Sequence, residues 1–343
     1  MSICDAEELS SLVHRRLIES ACEDSWPLAI RETLSAQARA RTAEELLRGA
    51  ETRAVVEALA GAGIRPILIK GTPLAYTIYD APALRPRDDT DLLVADTDVE
   101  PARRVLASRG YVTSVHCSEL FSQFDVQRVD ALGTRHAFDV HWRISTQPVF
   151  AGVLTYDELL RRAAPVPLLG PAALAPCAVD ALLLACVHPV MHHRNLERVL
   201  WIYDIHLLAS GLSTEEFRDF VERVHQKRMA AVCAHQLQLA QQTFNTRVPA
   251  VVLAALAGTR GSEPSAAYLA SQRKWHDELI AGIRGLPTAG ARMRMLREVL
   301  FPRSRYMFRL YGLAGTPFDW LLLPALYLHR NLRGAWNVVA GKK

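Results

Sequence analysis

No stretch of the 343-residue sequence is apolar enough to span a bilayer. The most hydrophobic late segment, Trp320 to Val339, is broken by Pro324, His329, Arg330, Asn331 and Arg333, short of the roughly 20 consecutive apolar residues a spanning helix needs. The opening MSICDAEELSSLVHRR is acidic early and has no continuous apolar centre, which argues against a secretory signal. Cysteines are few: Cys4, Cys22, Cys117, Cys177, Cys186 and Cys233 form no C-x-x-C pair and no short, evenly spaced framework. That excludes a disulfide scaffold and predicts a reduced, cytoplasmic setting. Neither a repeat nor a low-complexity tract is present. The net charge is only +4, which permits a polyanionic partner without arguing for one.

What is there is ordinary globular material, half hydrophobic and 22% charged. The chain is longer than the roughly 250–300 residues at which one core stops growing, so two or more packed units are expected. Four zones emerge: an N-terminal helical region (1–48), an α/β unit (49–150), a helical unit (151–260) and a basic helical C-terminal region (261–343). In the first, Leu9, Leu12, Val13, Leu17 and Ile18 recur at helical spacing. In the second, a helix over AEELLRGAETRAVVEALAGAG stops at Gly61 and Gly63, and Pro66 to Ile69 follows as a short buried strand. Then come a helix from Pro73 to Tyr79, the loop DAPALRPRD, the strand DTDLLVAD, a helix near Glu100 to Arg109 and a third strand in HAFDVHWRI. Helices run from about residue 175 onward, broken at Gly211, at Gly258 to Pro264 and at Gly312 to Pro317.

The chemistry concentrates in the second zone. Strand residues two apart point the same way, so Asp89 and Asp91 share one face while Leu92 and Val94 take the other. Asp139 and His141 share a face in the same manner, opposite Phe138 and Val140. If those strands are neighbours, three carboxylates converge. Two carboxylates ~5 Å apart repel by roughly 3 kcal/mol at an effective dielectric of 20, a standing cost unless cations sit between them. Hard oxygen ligands with open positions suit Mg²⁺ or Mn²⁺. Ahead of them, strand Ile67 to Ile69 runs into Lys70-Gly71-Thr72 before a helix. There a glycine, a hydroxyl and a helix start together suit phosphate, and Lys70 and Arg85 bring positive charge.

The segments IKGTPLAYTIYDAPALRPRDDTDLLV and HAFDVHW, with LLLACVHPVMHHRNLERVLWIYDIHLL further on, carry a resemblance over roughly residues 45–210. They are similar to the nucleotidyltransferase fold of the DNA polymerase beta superfamily and, more narrowly, to a bacterial uncharacterised nucleotidyltransferase family. The resemblance implies an α/β (α+β) fold, a mixed sheet with flanking helices, joined here to helical N- and C-terminal regions. It implies metal-dependent transfer of a nucleoside monophosphate from an NTP, ATP above all, to an acceptor hydroxyl. Position by position, Asp89 and Asp91 take the metal pair and Asp139 the third carboxylate. Gly71-Thr72 stands where the family has Gly followed by Gly or Ser, and Lys70, Arg85 and His141 flank the nucleotide. The acceptor is left open among a small molecule, a sugar, a protein and RNA. Two other readings stand beside transfer: a non-catalytic nucleotide-binding regulator or scaffold, and a toxin-like enzyme that modifies tRNA.

Other features have plainer readings. Asp88 is a solvated neighbour. His188 and His192 lie four apart on one helical face with His193 next to them, but Pro189 stands where a zincin needs Glu, so helix packing is expected. Asp204 either reaches the cleft or closes a salt bridge. The tail RMRMLREVLFPRSRYMFRLY, with six arginines among aromatics, fits weak contact with an anionic surface, RNA or a lipid headgroup layer, but fits a solvated helical face better.

Overall fold

The computed structural model describes residues 9–20, 25–113, 122–258, 263–270, 280, 283, 288–302, 304–313 and 316–339. Cys4, Cys22, Cys117 and Arg303 lie outside them. Two helices open the described chain, α1 (Ser10–Glu19) and α2 (Leu28–Gly61). The second is 34 residues long and runs without a break through 48/49, where composition suggests a boundary. The expected helix over AEELLRGAETRAVVEALAGAG already crosses that point; what pattern does not show is the extension back to Leu28, where helix-forming Ala, Arg, Gln and Glu carry little apolar periodicity. It ends as expected: Gly63 takes φ +80° and the Ile64 N–H donates back to the Leu59 carbonyl at 3.0 Å.

Strand β1 (Ile67–Ile69), helix α3 (Gly71–Thr77), strand β2 (Thr90–Leu93) and helix α4 (Val99–Ser108) follow. Then come β3 (Val112–Thr113), β4 (Gln123–Val129), β5 (Arg135–His141), helix α5 (Tyr156–Arg161) and the short β6 (Ala164–Pro165) and β7 (Leu174–Ala175). The result is a seven-stranded mixed sheet in the order β3-β4-β5-β2-β1-β7-β6. Only three of these strands are legible by pattern. β3, β6 and β7 are two residues each, too short for alternation to register.

Alternation along the central strands builds two cores. Leu68, Leu92, Val94, Phe124, Val126, Phe138 and Val140 pack with Val55, Val56 and Leu59 of α2 and Leu106 of α4. Ile67, Ile69 and Leu93 face the other way, into a helical layer. That layer is α6 (Ala178–His192), α7 (Val199–Gly211), α8 (Thr214–Gln226), α9 (Ala230–Phe244) and α10 (Ala250–Ala257). Capping boxes at Thr155–Glu158 and Ser213–Glu216 start α5 and α8. The described chain closes with α11 (Ala289–Leu300), α12 (Ser304–Leu310) and α13 (Pro317–Val339). Among the described residues, no helix is long and apolar enough to cross a membrane.

The loop between α3 and β2 is tied down on both sides. Arg87, buried, pairs with Glu45 of α2 at 2.8 Å, and the Tyr76 hydroxyl donates to the same carboxylate at 2.5 Å. Arg85, also buried, reaches Asp204 of α7 with two nitrogens, at 2.7 Å and 3.3 Å. Tyr79 donates to Asp204 at 2.7 Å. Asp204 therefore closes a salt bridge, one of its two expected roles. Breaking a buried pair from one side leaves an uncompensated charge, which costs about 3–5 kcal/mol. Asp204→Ala is expected to lose stability of that order in urea unfolding. A loss under about 1 kcal/mol would mean that water replaces the carboxylate and the loop is held by other contacts.

Candidate active site

Register places the acidic residues. β2 and β5 are parallel neighbours with Asp91 opposite Asp139 and Leu93 opposite His141. β4 and β5 are antiparallel, with Asp125 opposite Asp139. Asp91, Asp139 and Asp125 thus form a row across three adjacent strands, all on the face opposite Phe124, Phe138 and Leu92. Asp89 lies one residue before β2. The expected convergence of the second and third strands is what the sheet builds.

At the end of β1 the backbone turns sharply, with Lys70 at φ +58°, ψ −131°. A non-glycine residue there costs on the order of 1–3 kcal/mol, a strain kept only where the side chain has work to do. The turn aims Lys70 Nζ at Asp91 Oδ1, 2.6 Å away. His141 Nε2 donates to the same oxygen at 2.8 Å and lies 3.4 Å from Nζ. Burial alone would raise the Asp91 carboxyl, but the Lys70 charge and the His141 hydrogen bond outweigh it and hold the acid well below the usual range. Burial would lower Lys70, yet Asp91 raises it. His141 is lowered by burial and by Lys70, so the imidazole is neutral.

The neighbouring acids have no such partner. Burial, then the Asp91 charge, push Asp89 up to about 6. Burial, then Asp89 and Asp91, push Asp139 up to about 8. Both line a cleft with Asp88, Asp125, Gln127 and Arg135. The ligand atoms of Asp91, Asp139 and His141 lie within 4.8 Å of one another, the one such group of three among the described residues. Two carboxylates and an imidazole at that spacing fit a divalent cation once His141 Nε2 gives up its hydrogen bond to Asp91, since the nitrogen that donates that bond has no free lone pair. Asp89 stands beside this trio rather than in it. On the turn itself, the buried Thr72 Oγ1 has no hydrogen-bond partner, an exposed cost unless a ligand oxygen or amide meets it.

Gly71 and Arg85 meet each other first. A Cβ on Gly71 would stand 2.4 Å from Arg85 Nη1, so the glycine makes room for the clamped guanidinium. Arg85 commits its charge to Asp204, and both line a second cavity with Lys70, Gly71, His188 and Trp201. The histidines pack as rings: His188 lies 5.2 Å and His193 4.4 Å from Trp201, and His192 donates to the Ile144 carbonyl at 3.1 Å. Asp125 escapes sequence reading because a lone acid in Phe124-Asp125-Val126 looks like an ordinary solvent-side residue. The signal was the turn: Gly133, at φ +82°, centres a hairpin whose register sets Asp125 against Asp139.

These shifts fix a pH dependence. Asp89 and Asp139 titrate higher folded than unfolded, so the folded chain holds protons that the unfolded chain has shed. Stability then falls as pH rises from the ordinary carboxylate range near 4 through about 6 and about 8. Asp91 works oppositely, and its contribution is lost only in strong acid. In chelator, the melting temperature is expected to decline over this window, with Asp139→Asn removing the upper part of the decline. Added Mg²⁺ is expected to raise the melting temperature at neutral pH, and Asp91→Asn to lose most of that rise. Parallel pH profiles for wild type and Asp139→Asn would contradict the assignment.

The sequence profile of a family described as uncharacterised nucleotidyltransferase matches residues 1–245. The match takes in the sheet, the whole of one core, most of the other and helices α1 to α9, and it stops short of α10 to α13. No curated protein matches the chain. With the profile spanning well over half of the sequence and the acidic row inside it, the chain belongs to the uncharacterised nucleotidyltransferase family.

Proposed function

We propose that the protein transfers a nucleoside monophosphate from a nucleoside triphosphate, ATP above all, to an acceptor hydroxyl, with Mg²⁺ or Mn²⁺ held by Asp89, Asp91 and Asp139. The acceptor hydroxyl loses its proton to solvent as its oxygen bonds to the α-phosphorus, the bond from that phosphorus to the bridging oxygen breaks, and pyrophosphate leaves. The observation that carries this reading is the placement of Asp91 and Asp139 on paired parallel strands with Asp89 at the strand mouth. A divalent ion, when bound, offsets the repulsion among these carboxylates and the charge of the triphosphate.

The chain's own residues supply the rest. Lys70 and His141 keep Asp91 ionised and fix its orientation. The lysine also lies next to the turn on which a triphosphate would rest, with the unpartnered Thr72 hydroxyl and the backbone amides near Gly71 as further donors. Arg85 acts at one remove, positioning the loop that presents Asp88 and Asp89. Asp139, flanked by Asp125, orients the acceptor in the cleft. A complete set of carboxylates favours catalysis over a nucleotide-binding scaffold, which would have no need to keep them together at this electrostatic cost.

The test is incubation with each labelled NTP, Mg²⁺ or Mn²⁺ and a cell extract, asking which molecule becomes labelled. Asp139→Asn is expected to retain Mg²⁺-NTP binding and to lose transfer by several orders of magnitude, while Asp89→Asn loses both. Full transfer by Asp139→Asn would remove that residue from the mechanism. Absence of labelling with every NTP, in an extract and metal series in which a known nucleotidyltransferase labels its acceptor, would overturn the reaction.

A further inference from the structure

The C-terminal helix α13 is built inside out. Three of its polar side chains turn toward the preceding segment: Tyr327 donates to the Pro302 carbonyl at 2.5 Å, Arg330 to Val299 at 2.8 Å and Asn331 to Leu300 at 3.0 Å. Phe318, Leu321, Leu322, Leu328, Leu332 and Trp336 point outward, each between 49% and 79% exposed. At 100° per residue these six fall within an arc of roughly 120° running the length of the helix, interrupted by one polar residue, the exposed His329, which meets the Tyr311 hydroxyl at 2.8 Å. An amphipathic helix that served only its own fold would show the reverse. A contiguous apolar stripe of this kind marks a surface that is covered in use.

Charge identifies the cover. Residues 289–343 hold eight arginines and two lysines against one glutamate and one aspartate. The whole chain is only +4, so the remainder is net acidic and the modest total conceals a strongly basic end. Arg294 and Arg297 of α11 and Arg333 of α13 are exposed, as are the apolar Met293 and Phe301. A second copy would bring two basic ends together, which disfavours self-association. A nucleic acid offers negative charge but no apolar layer for six large side chains. A bilayer with anionic headgroups offers both, and a helix too polar to cross can lie in its interface.

We propose that α13, with the arginines around it, docks the protein on an anionic membrane surface, lying in the interface with its Phe318–Trp336 stripe in the acyl layer. The family profile ends at residue 245, so this end is an addition to the catalytic unit. Docking sets where the unit works and is separate from what it transfers.

Cosedimentation of the full chain with vesicles tests this, using phosphatidylcholine alone and phosphatidylcholine with about one third phosphatidylglycerol. Binding to the anionic vesicles only, weakened by salt, is expected. Leu321→Gln with Leu328→Gln should reduce it at least tenfold, and Arg294→Gln with Arg297→Gln by several-fold. All four positions are exposed or lie on an outward face, so the melting temperature of each variant should match wild type. No vesicle binding, or equal binding to neutral vesicles, overturns the proposal. So does salt-sensitive binding to RNA in place of vesicles. A wild-type dimer in sedimentation that the leucine variant converts to monomer would assign the stripe to a second copy instead.

Discussion

The charge on Asp91 is the constraint around which the molecule is arranged. Its carboxylate is buried in the middle of a sheet, between β1 and β5, where an unpaired charge would cost several kcal/mol. Compensation has to come from the two neighbouring strands. From β1 it is Lys70, reached by a backbone conformation that a lysine does not choose freely. From β5 it is His141, kept neutral so that it donates without adding charge. Strand order, the turn after β1 and the side-chain register of β5 together bring both donors to that one oxygen. Asp89 and Asp139, given no such partner, are left with raised proton affinity.

The same oxygen, Asp91 Oδ1, accepts from both Lys70 and His141. A cation that takes this oxygen competes with donors already seated there. Lys70 also borders the cavity it shares with His188 and Trp201, so its ammonium sits where the acidic cleft and the helical layer meet.

What the sequence makes legible follows the range of the interactions. Asp89, Asp91 and Asp139 stand out because period-two alternation and an apolar run assign their faces within four or five residues. The pairing of β2 with β5 is legible only because the acids on both would otherwise have no reason to recur. The Arg85–Asp204 clamp is invisible in pattern, its partners being 119 positions apart. Arg87 and Glu45 are hidden for the same reason, and the first half of α2 is hidden by its weak apolar periodicity. The stripe on α13 misleads in a different way: Leu and Trp at helical spacing look like core, and only the placed helix tells which side is turned in.

The Arg85–Asp204 contact also orders events in the life of the chain. Every acid of the cleft has been synthesised by residue 139, but the loop that presents Asp88 and Asp89 is anchored to the helical layer only once Asp204 has emerged and α7 has docked. Long-range closures of this kind come late, because the entropy of the intervening chain must be lost first. A nascent or partly unfolded chain thus carries the carboxylates without the brace that aligns them.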